Sequence, residues 1–171
     1  GEVDLVVGRV PDDWRWYHES SQLAAEVLYG EELAVVAGAN HPLAGQDPVK
    51  LEAMLDYPWV LPTRDSLLRR TVDSLFDKAG LTAPPNVVES LSILTNISLM
   101  QDQQTIAVMP LDATRQFTGA GLLATLDLGT PLQFGDIGYF HARNRELGPA
   151  ARLFRECLEQ AAQEQHGAPQ D

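Results

Sequence analysis

The order of apolar segments predicts an α/β domain with parallel strands. Three observations carry this expectation. Short apolar runs closed by turn-forming residues alternate with stretches whose apolar residues recur at helical spacing. A helical stretch leading directly into the apolar run "TIAVMP" implies a crossover connection. No internal repeat or low-complexity block is present, so the chain is not an array of identical units.

Residues 3–7 read as a first buried strand, closed by Gly8 and the loop "RVPDDW". Residues 33–37 form a second β-rich run, and "GANHPLAG" ends it with Gly, Asn and Pro, which accept or impose turn dihedrals. "DPVKLEAML" predicts a one- or two-turn helix with Asp47 as N-cap and Pro48 at its first position, after which "YPWVLP" is extended. Leu68, Val72, Leu75, Phe76 and Ala79 then mark a helix that Gly80 stops before the turn-rich "LTAPPN". "NVVES" is a brief strand. From Ser90, the positions Ile93, Leu94, Ile97 and Met100 mark another helix, ending near Asp102. A strand at "TIAVMP", a short helix at "LDATRQF" and strands at "GLLATLDL" and "GDIGYFHAR" follow. The last helix starts at Pro149 with the stripe Ala150, Leu153, Phe154, Cys157, Leu158 and Ala161. The polar "EQHGAPQD" is expected to be a disordered tail.

A chain of 171 residues can bury one good core or two small lobes sharing a hinge. Its formal charge of −12 and scattered basic residues provide no patch to neutralise phosphates, so this chain is not expected to bind DNA by itself. The lone Cys157 rules out a disulfide framework and fits a reducing cytosol. No apolar run is long enough to span a membrane and no signal segment opens the chain, so a cytoplasmic location with no membrane partner is expected. Gly1 stands where an initiator Met would be and opens almost directly on a strand, as though the sequence were cut at its N-terminus.

Enzyme signatures are absent. There is no G-x-S-x-G elbow, phosphate loop or dinucleotide fingerprint, and the histidines at 18, 41, 141 and 166 are too scattered to bind a metal. No catalytic residue, metal or cofactor is therefore expected. Asn-His-Pro after a strand is explained by turn chemistry, which outweighs a catalytic role for His41. The neighbouring carboxylates Asp12/Asp13 and Glu31/Glu32 read as solvated surface. "LPTRDSLLRR" is more informative: Pro62, Thr63, Arg64, Asp65 and Ser66 gather hydroxyls and free N–H groups at a helix start, where anions are attracted. Ser90 and Ser92 repeat the arrangement at "VESLSI". Each alone is better explained by plain capping than by ligand contact. Two such starts after strands favour a small polar or anionic ligand, because open α/β sheets bind ligands beyond the carboxyl ends of their strands.

The segments "GEVDLVVGR", "EELAVVAGANHPLAG", "LEAMLDYPWVLP", "LRRTVDSLFDKAGL", "NVVESLSI", "IAVMP" and "GDIGYFHARNRELGPAARLFRECL" resemble, over nearly the whole chain, the effector-binding domain of LysR-type transcriptional regulators. H-P-L-A after a strand and P-W-V-L-P at this spacing are the more specific pair. The resemblance implies a periplasmic-binding-protein-like fold of type II: two Rossmann-like lobes joined by a hinge, with an inducer in the cleft and two strands crossing. Lobe II would span residues 31–125. Lobe I, residues 1–30 and 126–171, would be incomplete because the winged helix-turn-helix and the first part of that lobe lie upstream of Gly1. Such a lobe would leave strand edges and apolar surface bare unless a neighbouring chain patched it.

By the same likeness the effector-binding positions are Arg9, Pro62, Thr63, Arg64, Ser92, Ile93, Met109 and Pro110, with Phe140 or His141 near the hinge. Surface solvation is an equal reading for both arginines. One departure from the family pattern is "QDQQT", where Gly-x-Gly usually precedes the strand ending at Pro110; the turn must be built without left-handed glycines. The implied function is a ligand-sensing regulatory domain for a sugar, sugar acid or organic acid, acting through a homo-oligomer (dimer or tetramer) on DNA bound by the missing helix-turn-helix. A solute-binding protein of a transport system is the alternative.

Overall fold

The computed structural model describes residues 3–14, 22–102 and 104–167. Along them run β1 (Leu5–Val10), β2 (Leu23–Gly38), a 3-10 turn (Leu51–Asp56), β3 (Trp59–Leu61), α1 (Leu67–Lys78), β4 (Val87–Glu89) and α2 (Ile93–Asp102). β5 (Ile106–Pro110), α3 (Leu111–Gly119), β6 (Leu123–Thr125), β7 (Leu132–Ala142) and α4 (Pro149–His166) complete the order. The chain divides into two compact units, one of Gly1–Glu31 and Gly135–Asp171, the other of Glu32–Phe134. Residues 126–134, expected in the first lobe, group with the second unit. The Leu126 amide donates to Val35 O at 2.8 Å, the Val49 amide donates to Asp127 O at 2.6 Å, and Leu128, Leu132 and Phe134 pack on that unit's core.

In the unit Glu32–Phe134, the strands lie in the order β6, β2, β5, β3, β4. β3 pairs in parallel with β4 and β5, whereas β2 runs antiparallel to β5 and β6, so the sheet is mixed and not purely parallel. β2 is antiparallel to both of these neighbours, so the rule for parallel crossovers, which applies to β3, β4 and β5, does not govern its direction. Residues alternate strictly between two cores. Leu33, Val35, Ala37, Trp59, Leu61, Ile106 and Val108 face α1 and the 3-10 turn. Ala34, Val36, Val60, Ala107 and Met109 face α2, with α3 packing alongside. Trp59 and Phe76 anchor the first core in an edge-to-face pair, centroids 5.5 Å apart, each contributing roughly 1.5–3 kcal/mol by burial.

α1 matches its periodicity, with Val72 and Phe76 buried, Ser66 as N-cap and Gly80 at φ +71° beyond its end. The 3-10 turn departs from expectation. It begins at Leu51 with Lys50 as its cap, so Asp47 and Pro48 do not start a helix; the chain is held at Val49 by the bond to Asp127. "GLLATLDL" is a strand only over β6, because Leu126 and Asp127 turn to make the bonds just described. In α2, Ile97 and Met100 are buried while Ile93 and Leu94 are exposed.

His41 is part of the turn after β2. It is 5% exposed; its Nδ1 accepts from the Leu43 amide at 3.1 Å, so the proton sits on Nε2, which donates to Gln104 O at 3.0 Å. Gln104 takes φ +51°, filling the left-handed position that "QDQQT" leaves without glycine. The ring of His41 thus braces the strained residue from the other side of the turn.

In the unit of Gly1–Glu31 and Gly135–Asp171, β1 pairs antiparallel with β7, Leu5 opposite His141 through Val10 opposite Asp136. β1 starts two residues later than its apolar run suggests and continues through Gly8 to Val10. β2 begins at Leu23, ten residues before the run at 33–37, because "LAAEVLYGEE" hides its strand character behind alanines and glutamates. Leu28, Tyr139 and Ala162 form a small core with Leu5 and Tyr29, and the Tyr139 hydroxyl donates to Glu159 at 2.6 Å. α4 starts at Pro149 as expected but runs through His166, so part of the expected tail is helical; its last four residues lie outside the described ones. α4 packs through Ala151, Leu158 and Ala162, leaving Leu153 at 62% and Phe154 at 52% exposed, with Cys157 also exposed. The predicted stripe is therefore mostly on the outer face.

Candidate functional site

Because β3 pairs in parallel with both β4 and β5, the carboxyl ends of these three strands share one edge of the Glu32–Phe134 unit. Each strand leads into a helix at that edge: β3 through Pro62–Ser66 into α1, β4 through Ser90–Ser92 into α2, and β5 directly into α3 at Pro110. The amide of Ser90 donates to Leu61 O at 3.0 Å and joins the first two connections. Three helix starts thus present unpaired N–H groups and positive dipole ends together.

The hydroxyls of this edge are largely committed to local caps. Ser66 Oγ accepts from the Arg69 amide at 3.1 Å, Ser90 Oγ from the Ser92 amide at 3.2 Å, and Ser92 Oγ from the Thr95 amide at 3.3 Å. Each serine keeps its own O–H as a donor for another acceptor. Thr63 hydrogen-bonds the exposed carboxyl of Asp65 and holds its pKa below the ordinary carboxylate value. Arg64 is exposed beside it. Leu91, Ile93 and Leu94 expose apolar surface around the start of α2.

A pocket of about 330 Å³ lies at the end of the same edge, lined by Glu32, Leu33, Leu111, Asp127, Thr130 and Leu132 among others. Leu33 is the strand partner of Pro110, which places the pocket mouth next to the β5–α3 junction. No sequence pattern marks this pocket, since its walls come from the middle of β2 and from residues 126–132, of which the first three read as the end of a strand. Arg69, another residue without a sequence signal, is 4% exposed on the core face of α1 and reaches Asp73 Oδ1 at 3.0 Å.

Of the residues predicted for the site, Pro62, Thr63, Arg64, Ser92, Ile93 and Pro110 are brought to one edge. Met109 is not: its side chain is buried among Ala34, Val36, Val60 and Ile97. Arg9 and Phe140 belong to the other unit. Arg9 pairs there with Glu31, and Phe140 meets Trp14 edge-to-face at 5.1 Å. Among the described residues no three His, Cys, Asp or Glu side chains group as metal ligands, and no helix is long and apolar enough to cross a membrane.

The LysR substrate binding domain family model matches residues 1–163. The HTH-type transcriptional regulator GalR of Pseudomonas putida is 32% identical over 166 residues, covering 96% of this chain and 40% of the relative. GbpR of Azospirillum brasilense, also an HTH-type transcriptional regulator, is 26% identical over 163 residues, covering 95% of this chain and 46% of its own. The chain thus spans under half the length of these two relatives. Among solved structures, the Synechocystis PCC6803 CcmR regulatory domain in complex with 2-PG superposes with a TM-score of 0.72 at 20% identity, covering 99% of this chain and 76% of that one. The fold is accordingly that of LysR effector-binding domains, the periplasmic-binding-protein-like type II fold.

Proposed function

The chain belongs to the LysR substrate binding domain family, and from that premise we propose that it is the ligand-sensing part of a transcriptional regulator whose DNA-binding helix-turn-helix lies outside this sequence. The effector is a small polar molecule, a sugar, sugar acid or organic acid, held at the carboxyl edge of β3, β4 and β5. Ser90 and Ser92 donate hydrogen bonds to it, Thr63 does so once its hydroxyl leaves the Asp65 carboxyl, Arg64 pairs an anionic group, and Pro62, Ile93 and Pro110 bound its apolar side. One observation carries this reading: three helix starts converge on one edge of a single sheet, beside a pocket of about 330 Å³. Arg9 and Phe140 are assigned to the effector only by family likeness, and Arg9 would first have to leave Glu31.

Signalling follows from differential affinity. An effector shifts the equilibrium between conformations only by as much as it prefers one of them, and the preferred state changes subunit packing in a dimer or tetramer. The domain performs no catalysis and acts in the cytoplasm. The regulators named above are not transport proteins, so a transport role has no support. Calorimetric titration with sugars, sugar acids and aromatic acids tests the site: Thr63→Ala and Arg64→Ala each weaken the effector at least about ten-fold, as expected for losing a hydrogen bond to a charged group, roughly 1.5–3 kcal/mol. Unchanged affinity in both variants would remove this site.

A further inference from the structure

Arg69 is the only buried arginine among the described residues, and packing does not account for it. Its Nε donates to Asp73 Oδ1 at 3.0 Å on the same helix, and its Nη1 lies 3.8 Å from Glu89 Oε1, too far for a hydrogen bond. Nη1 is buried with no hydrogen-bond partner. A methionine of similar volume would fill this position without burying a partly unpaired charge. The charge has a structural target, however. Glu89 is the last residue of β4, paired in register with Leu61, and is 47% exposed at its side chain.

We propose that Arg69 is a positioning residue for the effector site: through Glu89 it draws the β4–α2 connection toward the start of α1 and sets the spacing between the two ligand-facing segments. This rests on the assignment of that edge as the effector site. The path is continuous. On one side the Arg69 amide donates to Ser66 Oγ, and the Ser66 amide donates to Thr63 O at 3.0 Å. On the other, Glu89 is followed by Ser90, whose amide is bonded to Leu61 and whose hydroxyl oxygen receives the Ser92 amide, which in turn precedes the Ser92–Thr95 cap. Attraction between the guanidinium and Glu89 acts on Thr63 and Ser92 at once, although Arg69 touches no ligand itself.

Amide exchange and amide chemical shifts measured on the whole chain test this, in wild type, Arg69→Met, Glu89→Gln and the double variant. Each single substitution should raise exchange at the Ser92 and Thr95 amides about three- to five-fold, the range of a partly exposed ion pair, and move their shifts. The double variant should go no further, because both changes break one interaction. A purely structural Arg69 would loosen α1 in Arg69→Met and leave Glu89→Gln like wild type at Ser92 and Thr95; that result, or effects that multiply, overturns the proposal. A second arm titrates 2-PG, gluconate and benzoate. An acid that shifts the Thr63 and Ser92 amides of wild type should bind Glu89→Gln about three- to five-fold more weakly; equal affinity overturns the proposal. Exchange that responds as expected while none of the three acids binds upholds the positioning role and counts against the effector assignment instead.

Discussion

Replacing His41 with alanine is the sharpest test of the turn that links β2 to the rest of its unit. The ring satisfies the Leu43 amide at 3.1 Å and the Gln104 carbonyl at 3.0 Å, and both partners lose it together. It also packs at a tilt on Tyr57, centroids 4.4 Å apart. At about 1–2 kcal/mol for each polar group left unpaired, His41→Ala should cost about 3 kcal/mol. The variant should also change the dependence on pH. Burial holds the His41 pKa below its ordinary value of 6.5, with the Gln104 carbonyl opposing in part. As pH falls below that value the unfolded chain takes up the proton first, so it binds more protons than the folded chain and stability drops. The contribution is fully present above the unfolded value, and its loss on acidification is at most about 1.4 kcal/mol per pH unit. Urea unfolding followed by tryptophan fluorescence, run from neutral pH into the mildly acidic range, measures both quantities. A loss under about 0.5 kcal/mol, with a pH slope equal to that of wild type, would refute the bracing role.

Gln104→Gly should stabilise the chain by about 0.5–1 kcal/mol in the same unfolding assay, since relief of roughly 1–2 kcal/mol at φ +51° exceeds the added entropy of glycine. Gly138→Ala should cost about 3 kcal/mol or prevent folding of its unit, because the new Cβ would lie 2.2 Å from Glu26 O and 2.8 Å from Val10 Cγ2; a thermal melt shows it. Ser66→Ala should cost about 1 kcal/mol by loss of the α1 cap, read from urea midpoints. Leu153→Gln with Phe154→Gln should alter monomer stability by under about 0.5 kcal/mol per site while reducing self-association in sedimentation velocity, because both side chains are exposed on α4.

What could be read in the sequence was what depends on short-range pattern. α1 was legible because Val72 and Phe76 sit at helical spacing with Gly80 beyond them, and β5 because four consecutive buried residues follow a helix. Turn chemistry identified His41 correctly as part of a turn, but not its partner, because Gln104 is distant in sequence and meets it only once β2 and β5 pair. The first half of β2 was hidden, since a strand held by its neighbours need not be apolar. Asp47 and Pro48 carry a good helix-start signal that a tertiary bond at Val49 overrides. The α4 stripe shows a limit of another kind: periodicity marks the apolar face, but what covers it is a matter of packing partners. At the candidate site, Thr63 and Ser92 were visible as helix-start residues, whereas Arg69 resembles any surface arginine until α1 is seen to turn it toward Glu89.

Amide shift mapping of the chain titrated with a panel of sugars, sugar acids and carboxylic acids bears most directly on where the ligand sits. A bound effector should perturb residues 62–66, 90–93 and 110–112 together, the three segments that leave β3, β4 and β5. Saturable binding whose perturbations miss all three segments would contradict the assignment of this edge.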